Sequence, residues 1–175
     1  MAALIKKIAL LVGKDFEDME VMYPYYRLIE AGYQVDVIGE GPAGTQYHGK
    51  FTYPIVSTLE ISQAKAGDYA GLVAPGGWSP DKLRRNPQVL QLVRDIDKQG
   101  GVIASICHGP WILISAGVVK GKKMTATTAI KDDLVNAGAL FVNEEVTVDG
   151  RMVTSRKPDD LPAFLRETLK LLGSA

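Results

Sequence analysis

This chain of 175 residues has a single cysteine and only two histidines. One cysteine cannot form an internal disulfide. With so few nitrogen and sulfur ligands, a metal site would have to lean on carboxylates, which show no recognisable spacing here. Net charge is missing as well. Twenty basic and twenty acidic residues cancel, so no strong field directs the protein to nucleic acid or to an anionic membrane. The short basic run Lys120-Gly121-Lys122-Lys123 reads as a solvated turn. No apolar stretch approaches the roughly 18 residues needed to span a bilayer. The opening Met1 to Val12 is interrupted by Lys6 and Lys7, and Ile8 to Val12 is too brief for the apolar core of an export signal, so it reads as a first strand. Together these absences point to a reducing, cytoplasmic setting, with no cofactor and no metal expected.

What the chain does have is apolar material, 46% of its residues, enough for one full core over a single domain, 1–175. Strand and helix patterns alternate along it. Ile8 to Val12 is a continuous apolar run of the kind found in a central parallel strand. Val21, Met22, Tyr25, Leu28 and Ile29 then recur on one helical face until Gly32, with Pro24 near the first turn or at a kink. Val35 to Ile38 reads as a strand, Tyr47 to Ser57 as a strand pair or edge hairpin, and Gly71 to Ala74 as a strand ending in the turn Pro75-Gly76-Gly77. A helix from Pro87 to Gln99, a strand from Val102 to Ile106 and helices over Trp111–Ala116 and Lys131–Ala137 follow. A hairpin turning at Asp149-Gly150 comes next, and a helix from Asp159 to Leu172 closes the chain. Such alternation predicts an α/β fold: a mostly parallel sheet covered by helices on both faces, with its site at the carboxyl ends of the strands.

One of those ends carries Cys107, in Ala104-Ser105-Ile106-Cys107-His108-Gly109-Pro110. A strand, then a reactive atom flanked by small residues, then a helix start, is how α/β hydrolases hold a nucleophile on a strained turn. The central residue is forced into an unfavourable backbone conformation, so the positions two before and two after must be small, and they are Ser105 and Gly109. A helix beginning at His108 or Gly109 would aim backbone N–H groups at the sulfur and favour thiolate. Pro110 suits a first helical turn. His108 supplies an imidazole that can move a proton. The plainer alternative is a small buried hydrophobe.

Other segments converge on the same edge. Glycines at 76 and 77 let backbone N–H groups approach a substrate oxygen, and with the N–H of His108 they could form an oxyanion hole. Glu17-Asp18-Met19-Glu20 follows the first strand and places carboxylates there, to hydrogen-bond the sulfur or orient substrate. Helix capping explains Asp18 and does not require both glutamates. A flavin carrier is disfavoured, because Lys14-Asp15-Phe16-Glu17 stands where a phosphate-cradling loop would be. Tyr25, Tyr26 and Trp111 read as core or pocket wall, Trp78 and Tyr23 as exposed aromatics that could mark a subunit contact, and His48 as a solvated surface residue.

Taken in order, Phe16-Glu17-Asp18-Met19-Glu20, Ala74-Pro75-Gly76-Gly77, the Cys107 segment, Ile130-Lys131-Asp132-Asp133, Asn136-Ala137-Gly138 and Thr154-Ser155-Arg156 resemble the PfpI family. That family groups intracellular cysteine peptidases with protein deglycases and is related to the Parkinsonism-associated deglycase. The resemblance implies a flavodoxin-like three-layer sandwich, Cys107 as nucleophile and His108 as its partner. It also implies a dimer or hexamer in which a carboxylate from a neighbouring subunit completes the triad, and the matching position is Asp81. The peptidase members have glutamate there; aspartate is one methylene shorter, which weighs against peptidase activity. Glu20 matches the glutamate that contacts the nucleophile in the Parkinsonism-associated relatives. Class I glutamine amidotransferases share the sheet and elbow, but their triad histidine lies late in the chain, where neither His48 nor His108 falls.

The expected protein is a cysteine hydrolase of the stress-response type, a deglycase or glyoxalase-like enzyme acting on methylglyoxal adducts of proteins or nucleotides. Glycated proteins or peptides are the expected partners. The alternatives are an intracellular cysteine peptidase, and a redox sensor or chaperone built on an oxidisable Cys107.

Overall fold

Along the first strand, β1 (Lys7–Leu11), alternate side chains face opposite ways and both directions are apolar, which calls for a sheet covered on two sides. Ala9 and Leu11 join one buried cluster while Ile8 and Leu10 join another. The computed structural model describes residues 7–173. The first six residues of the opening segment and the last two of the chain lie outside the described residues.

After β1 come α1 (Asp18–Glu30), β2 (Gln34–Gly39), a hairpin of β3 (Gln46–His48) and β4 (Pro54–Val56), and β5 (Leu59–Glu60). Then follow β6 (Tyr69–Ala74), α2 (Ser79–Leu83), α3 (Pro87–Lys98), β7 (Val102–Ile106) and α4 (Pro110–Ala116). The last third holds β8 (Lys123–Met124), α5 (Lys131–Asn136), β9 (Leu140–Phe141), β10 (Val146–Asp149), β11 (Met152–Ser155) and α6 (Leu161–Leu172). Seven strands form the central sheet in the order β10-β11-β7-β6-β1-β2-β5, all parallel except β10, which runs antiparallel to β11. This is the flavodoxin-like sandwich. Side chains of α3, α4 and α5 cover one face and those of α1 and α6 the other. Among the described residues, no helix is long and apolar enough to cross a membrane.

Register brings the strand ends together. Ala74 of β6 pairs with Ser105 of β7, and Ile106 of β7 with Ser155 of β11. The residues that follow these three strands, Pro75-Gly76-Gly77, Cys107 and Arg156, therefore leave the sheet side by side.

Some local expectations give way. Pro24 lies in the middle of α1, and Ile29, expected on its buried face, is exposed. Tyr26 is also exposed, whereas Tyr23 is half-buried. A single 3-10 turn over Pro158–Asp160 precedes α6, so the last helix begins two residues later than expected. The short elements α2, β5, β8 and β9 carry too little periodicity to be read from sequence.

Candidate active site

Cys107 follows β7 with φ of 61°, in the left-handed region that side chains rarely adopt. Holding a non-glycine residue there costs about 1–3 kcal/mol and persists only where surrounding bonds fix it. Two do so: the Cys107 N–H donates to Ser155 O at 3.1 Å, and the Cys107 carbonyl accepts from Thr127 N at 3.3 Å. The flanking small residues are explained by contact. A Cβ on Gly109 would sit 2.1 Å from Ala74 O and 2.5 Å from Ser105 Oγ, and Ser105 itself donates to Ala74 O at 3.1 Å. A Cβ on Gly76 would meet Glu20 Oε2 at 2.5 Å and Cys107 Cβ at 2.8 Å. Gly77 needs both its freedom, at φ of 76°, and its lack of a side chain, because a Cβ would lie 2.3 Å from Glu17 N.

The helix after the elbow starts at Pro110 with Gly109 as its cap. The backbone N–H groups of His108 and Gly77 point at the sulfur and lower the thiol's affinity for its proton. Gly76 does not join them. Its N–H donates to Glu20 Oε2 at 2.7 Å, so of the expected oxyanion donors only Gly77 and His108 serve the sulfur side.

The two glutamates have separate work. Glu17 is the cap of α1, its Oε2 accepting from Glu20 N at 2.8 Å. Asp18, expected as the cap, instead accepts from the backbone N–H groups of Phe51 and Tyr53 and pins the hairpin tip beside the site. Glu20 is fully buried and lies against Cys107. One of its oxygens is taken by Gly76 N–H, and the other, Oε1, is buried with no hydrogen-bond partner among the described residues.

Burial, together with this pairing, reverses the expected depression of the thiol pKa. Cys107 is pushed up to about 12, first by burial and then by the Glu20 charge, against which the two N–H groups work. Glu20 is pushed up to about 8, again first by burial and then by Glu17. Two acids in contact in a dry site cannot both ionise readily, so the pair keeps at least one proton across the neutral range. A neutral Glu20 removes the charge repulsion and leaves burial as the main cause that holds the thiol up, and its proton would sit on Oε1, the oxygen that Gly76 N–H does not take.

His108 Nδ1 lies 3.3 Å from Cys107 Sγ. Its ring sits between Trp78 and Trp111, with centroids 5.7 Å and 5.1 Å away. Burial and then the Lys50 charge lower its pKa, which keeps the imidazole neutral and able to accept a proton. Lys50 belongs to no motif; it reaches the site because the hairpin folds over it, with its ammonium 5.7 Å from the Trp78 ring. Asp81 stands apart from this cluster within the chain. It lies on α2, about half exposed and paired with Arg85 one turn on, and among the described residues no carboxylate is hydrogen-bonded to His108. His48 is exposed, at the end of β3. Among the described residues, no group of three or more His, Cys, Asp or Glu side chains is placed to hold a metal ion.

The chain is similar to known proteins over nearly its whole length. Deglycase PH1704 of Pyrococcus horikoshii is 44% identical over 166 residues, covering 95% of this chain and 99% of that one. Protein/nucleic acid deglycase 2 of Escherichia coli is 44% identical over 171 residues, covering 97% of this chain and 99% of its own. Among solved structures, Drosophila melanogaster DJ-1beta superimposes with a TM-score of 0.88 at 29% identity, covering 97% of this chain and 92% of that one. Residues 6–171 match the description DJ-1/PfpI family, and the chain belongs to that family.

Proposed function

We propose that this protein is a cysteine-dependent deglycase that removes methylglyoxal-derived groups from amines. The observation that carries this reading is the grouping at Cys107: one sulfur on a left-handed turn, faced by two backbone N–H groups, an imidazole at 3.3 Å and a carboxyl whose pKa is raised to about 8. The names of the Pyrococcus horikoshii and Escherichia coli relatives support the reaction class.

In the first step His108 takes the thiol proton and the sulfur displaces the amine from the carbinol carbon of the adduct, the amine leaving with a proton. A hydrogen then shifts from that carbon to the neighbouring carbonyl carbon, turning a hemithioacetal into a hydroxyacyl thioester with no external oxidant. Glu20, protonated at the start, gives and takes the protons of this shift. Water attacks the thioester, releasing lactate and the free thiol, while the N–H groups of Gly77 and His108 hold the charge that develops. Asp81, half-exposed on α2, would leave its pairing with Arg85 to reach the His108 of a second copy in a homo-oligomer, and the reading takes the whole chain as one working domain.

The test is lactate release from methylglyoxal-treated peptides by wild type and Cys107→Ala. Release by the wild type with loss in the variant supports the reading. Equal release from both rejects Cys107 as nucleophile, and peptide-bond cleavage without lactate would assign peptidase chemistry instead.

A further inference from the structure

Thr154-Ser155-Arg156 belongs to the motif set, yet no step above uses Arg156. It leaves β11 next to Cys107 and lines a cleft of about 220 Å³ together with Ala126, Thr127, Thr128, Asn143 and Lys157. Both walls of this cleft are tied to the backbone of the nucleophile residue. Ser155, one residue before Arg156, takes the Cys107 N–H, and Thr127 donates to the Cys107 carbonyl.

The Arg156 guanidinium is held rigidly. Asp160, almost fully buried, accepts from Nε at 2.9 Å, from Nη2 at 3.1 Å and from the Arg156 backbone N at 3.1 Å. Asn143 Oδ1 accepts from Nη1 at 3.1 Å. A guanidinium carries five N–H groups in a fixed fork. These bonds use three of them and leave one on each terminal nitrogen. Asn143 spends its oxygen on Arg156, which leaves its amide N–H groups to offer. Lys157 gives one ammonium contact to the exposed Asp159 at 2.7 Å and keeps further donors. Thr127 and Thr128 add hydroxyls. The nearby negative charges, Asp160 and Asp159, are already paired, and Glu145 acts on Arg156 from outside the lining. The lining is therefore rich in unspent donors, on a guanidinium whose orientation is fixed before any ligand arrives.

We propose that this cleft is a carboxylate-binding subsite, taking the carboxylate of an amino acid or a peptide C-terminus whose adduct reacts at Cys107. A fork with spare N–H groups on both terminal nitrogens, flanked by an ammonium and hydroxyls, suits an oxyanion of this shape. The cleft is smaller than the roughly 300–1,000 Å³ of sites that enclose a whole small molecule, so it holds the end of a substrate rather than all of it. The assignment of amino-acid adducts as substrates rests on the proposed deglycase reaction; the anion site itself does not.

The test is a titration of the ¹⁵N-labelled wild-type chain with N-acetylglycine, N-acetylglycinamide and inorganic phosphate, followed by amide shifts at Thr127, Thr128, Asn143 and Lys157. Saturable shifts with N-acetylglycine are expected, with affinity weaker by at least about tenfold for the neutral amide, the loss of one charge-assisted hydrogen bond. Lys157→Ala and Asn143→Leu should each weaken N-acetylglycine by a similar factor. Equal affinity for acid and amide, no shift with the acid, binding of phosphate alone, or unchanged affinity in both variants would each overturn the proposal. Binding that survives while lactate release proves independent of Cys107 would leave the subsite standing and reject the deglycase reading. The reverse result would do the opposite.

Discussion

Replacing Glu20 with glutamine separates its charge from its packing. The variant keeps an acceptor for Gly76 N–H and places an amide donor where Oε1 has no hydrogen-bond partner among the described residues. It removes the proton equilibrium. In the folded protein the Glu20 carboxyl titrates near 8, raised from 4.5 chiefly by burial and then by Glu17. Between those values the folded state holds a proton that the unfolded chain has released, so stability that is fully present below pH 4.5 is lost as pH rises through about 8. The gap from 4.5 to about 8 corresponds to about 5 kcal/mol across the window, of which about 3 kcal/mol has gone near pH 7. The assay is urea unfolding of wild type and Glu20→Gln at several pH values, taking the difference so that the other titrating groups cancel. Glu20→Gln is expected to gain on the wild type by about 3 kcal/mol between pH 4.5 and neutrality. A difference that stays constant with pH would show that Glu20 is not held protonated in the fold.

Gly109→Ala puts a methyl group 2.1 Å from the Ala74 carbonyl, and since backbone cannot swing aside, a loss of several kcal/mol, seen as a lowered urea midpoint or insoluble protein, is expected. Gly76→Ala meets the Glu20 side chain rather than backbone first, so a smaller loss of about 1–3 kcal/mol is expected, together with loss of lactate release. Lys50→Ala removes a cation that lowers the His108 pKa; the imidazole titration, followed by proton NMR, should move upward towards its ordinary value, and an unchanged titration would show that burial alone sets it.

The sheet was legible because its strands are short unbroken apolar runs and its long helices have clear stops. Gly32 follows α1 and Gly173 caps α6, both with positive φ. The elbow was legible because Ser105 and Gly109 meet at a close contact next to Cys107 and Pro110 stands in the first turn of α4. The division of labour between Glu17 and Glu20 was not. Two glutamates three residues apart stand at the same helix start, and only the close approach of Gly76 to α1 decides which one meets the sulfur. The raised thiol pKa was hidden for the same reason: a turn motif shows the N–H groups that favour thiolate but neither the burial nor the carboxyl that tertiary packing imposes on the sulfur. Lys50 and the Thr127 wall come from segments whose distance along the chain gives no hint of their place beside Cys107.

Covalent catalysis at Cys107 leaves a trace that no other reading leaves. Wild-type protein mixed with a methylglyoxal-treated amine, quenched in acid within the first turnovers and weighed intact, should carry one hydroxyacyl group, released by hydroxylamine and mapped to Cys107. Lactate accumulating with no such group on Cys107, or at the same rate from Cys107→Ala, would contradict a thioester intermediate at this residue.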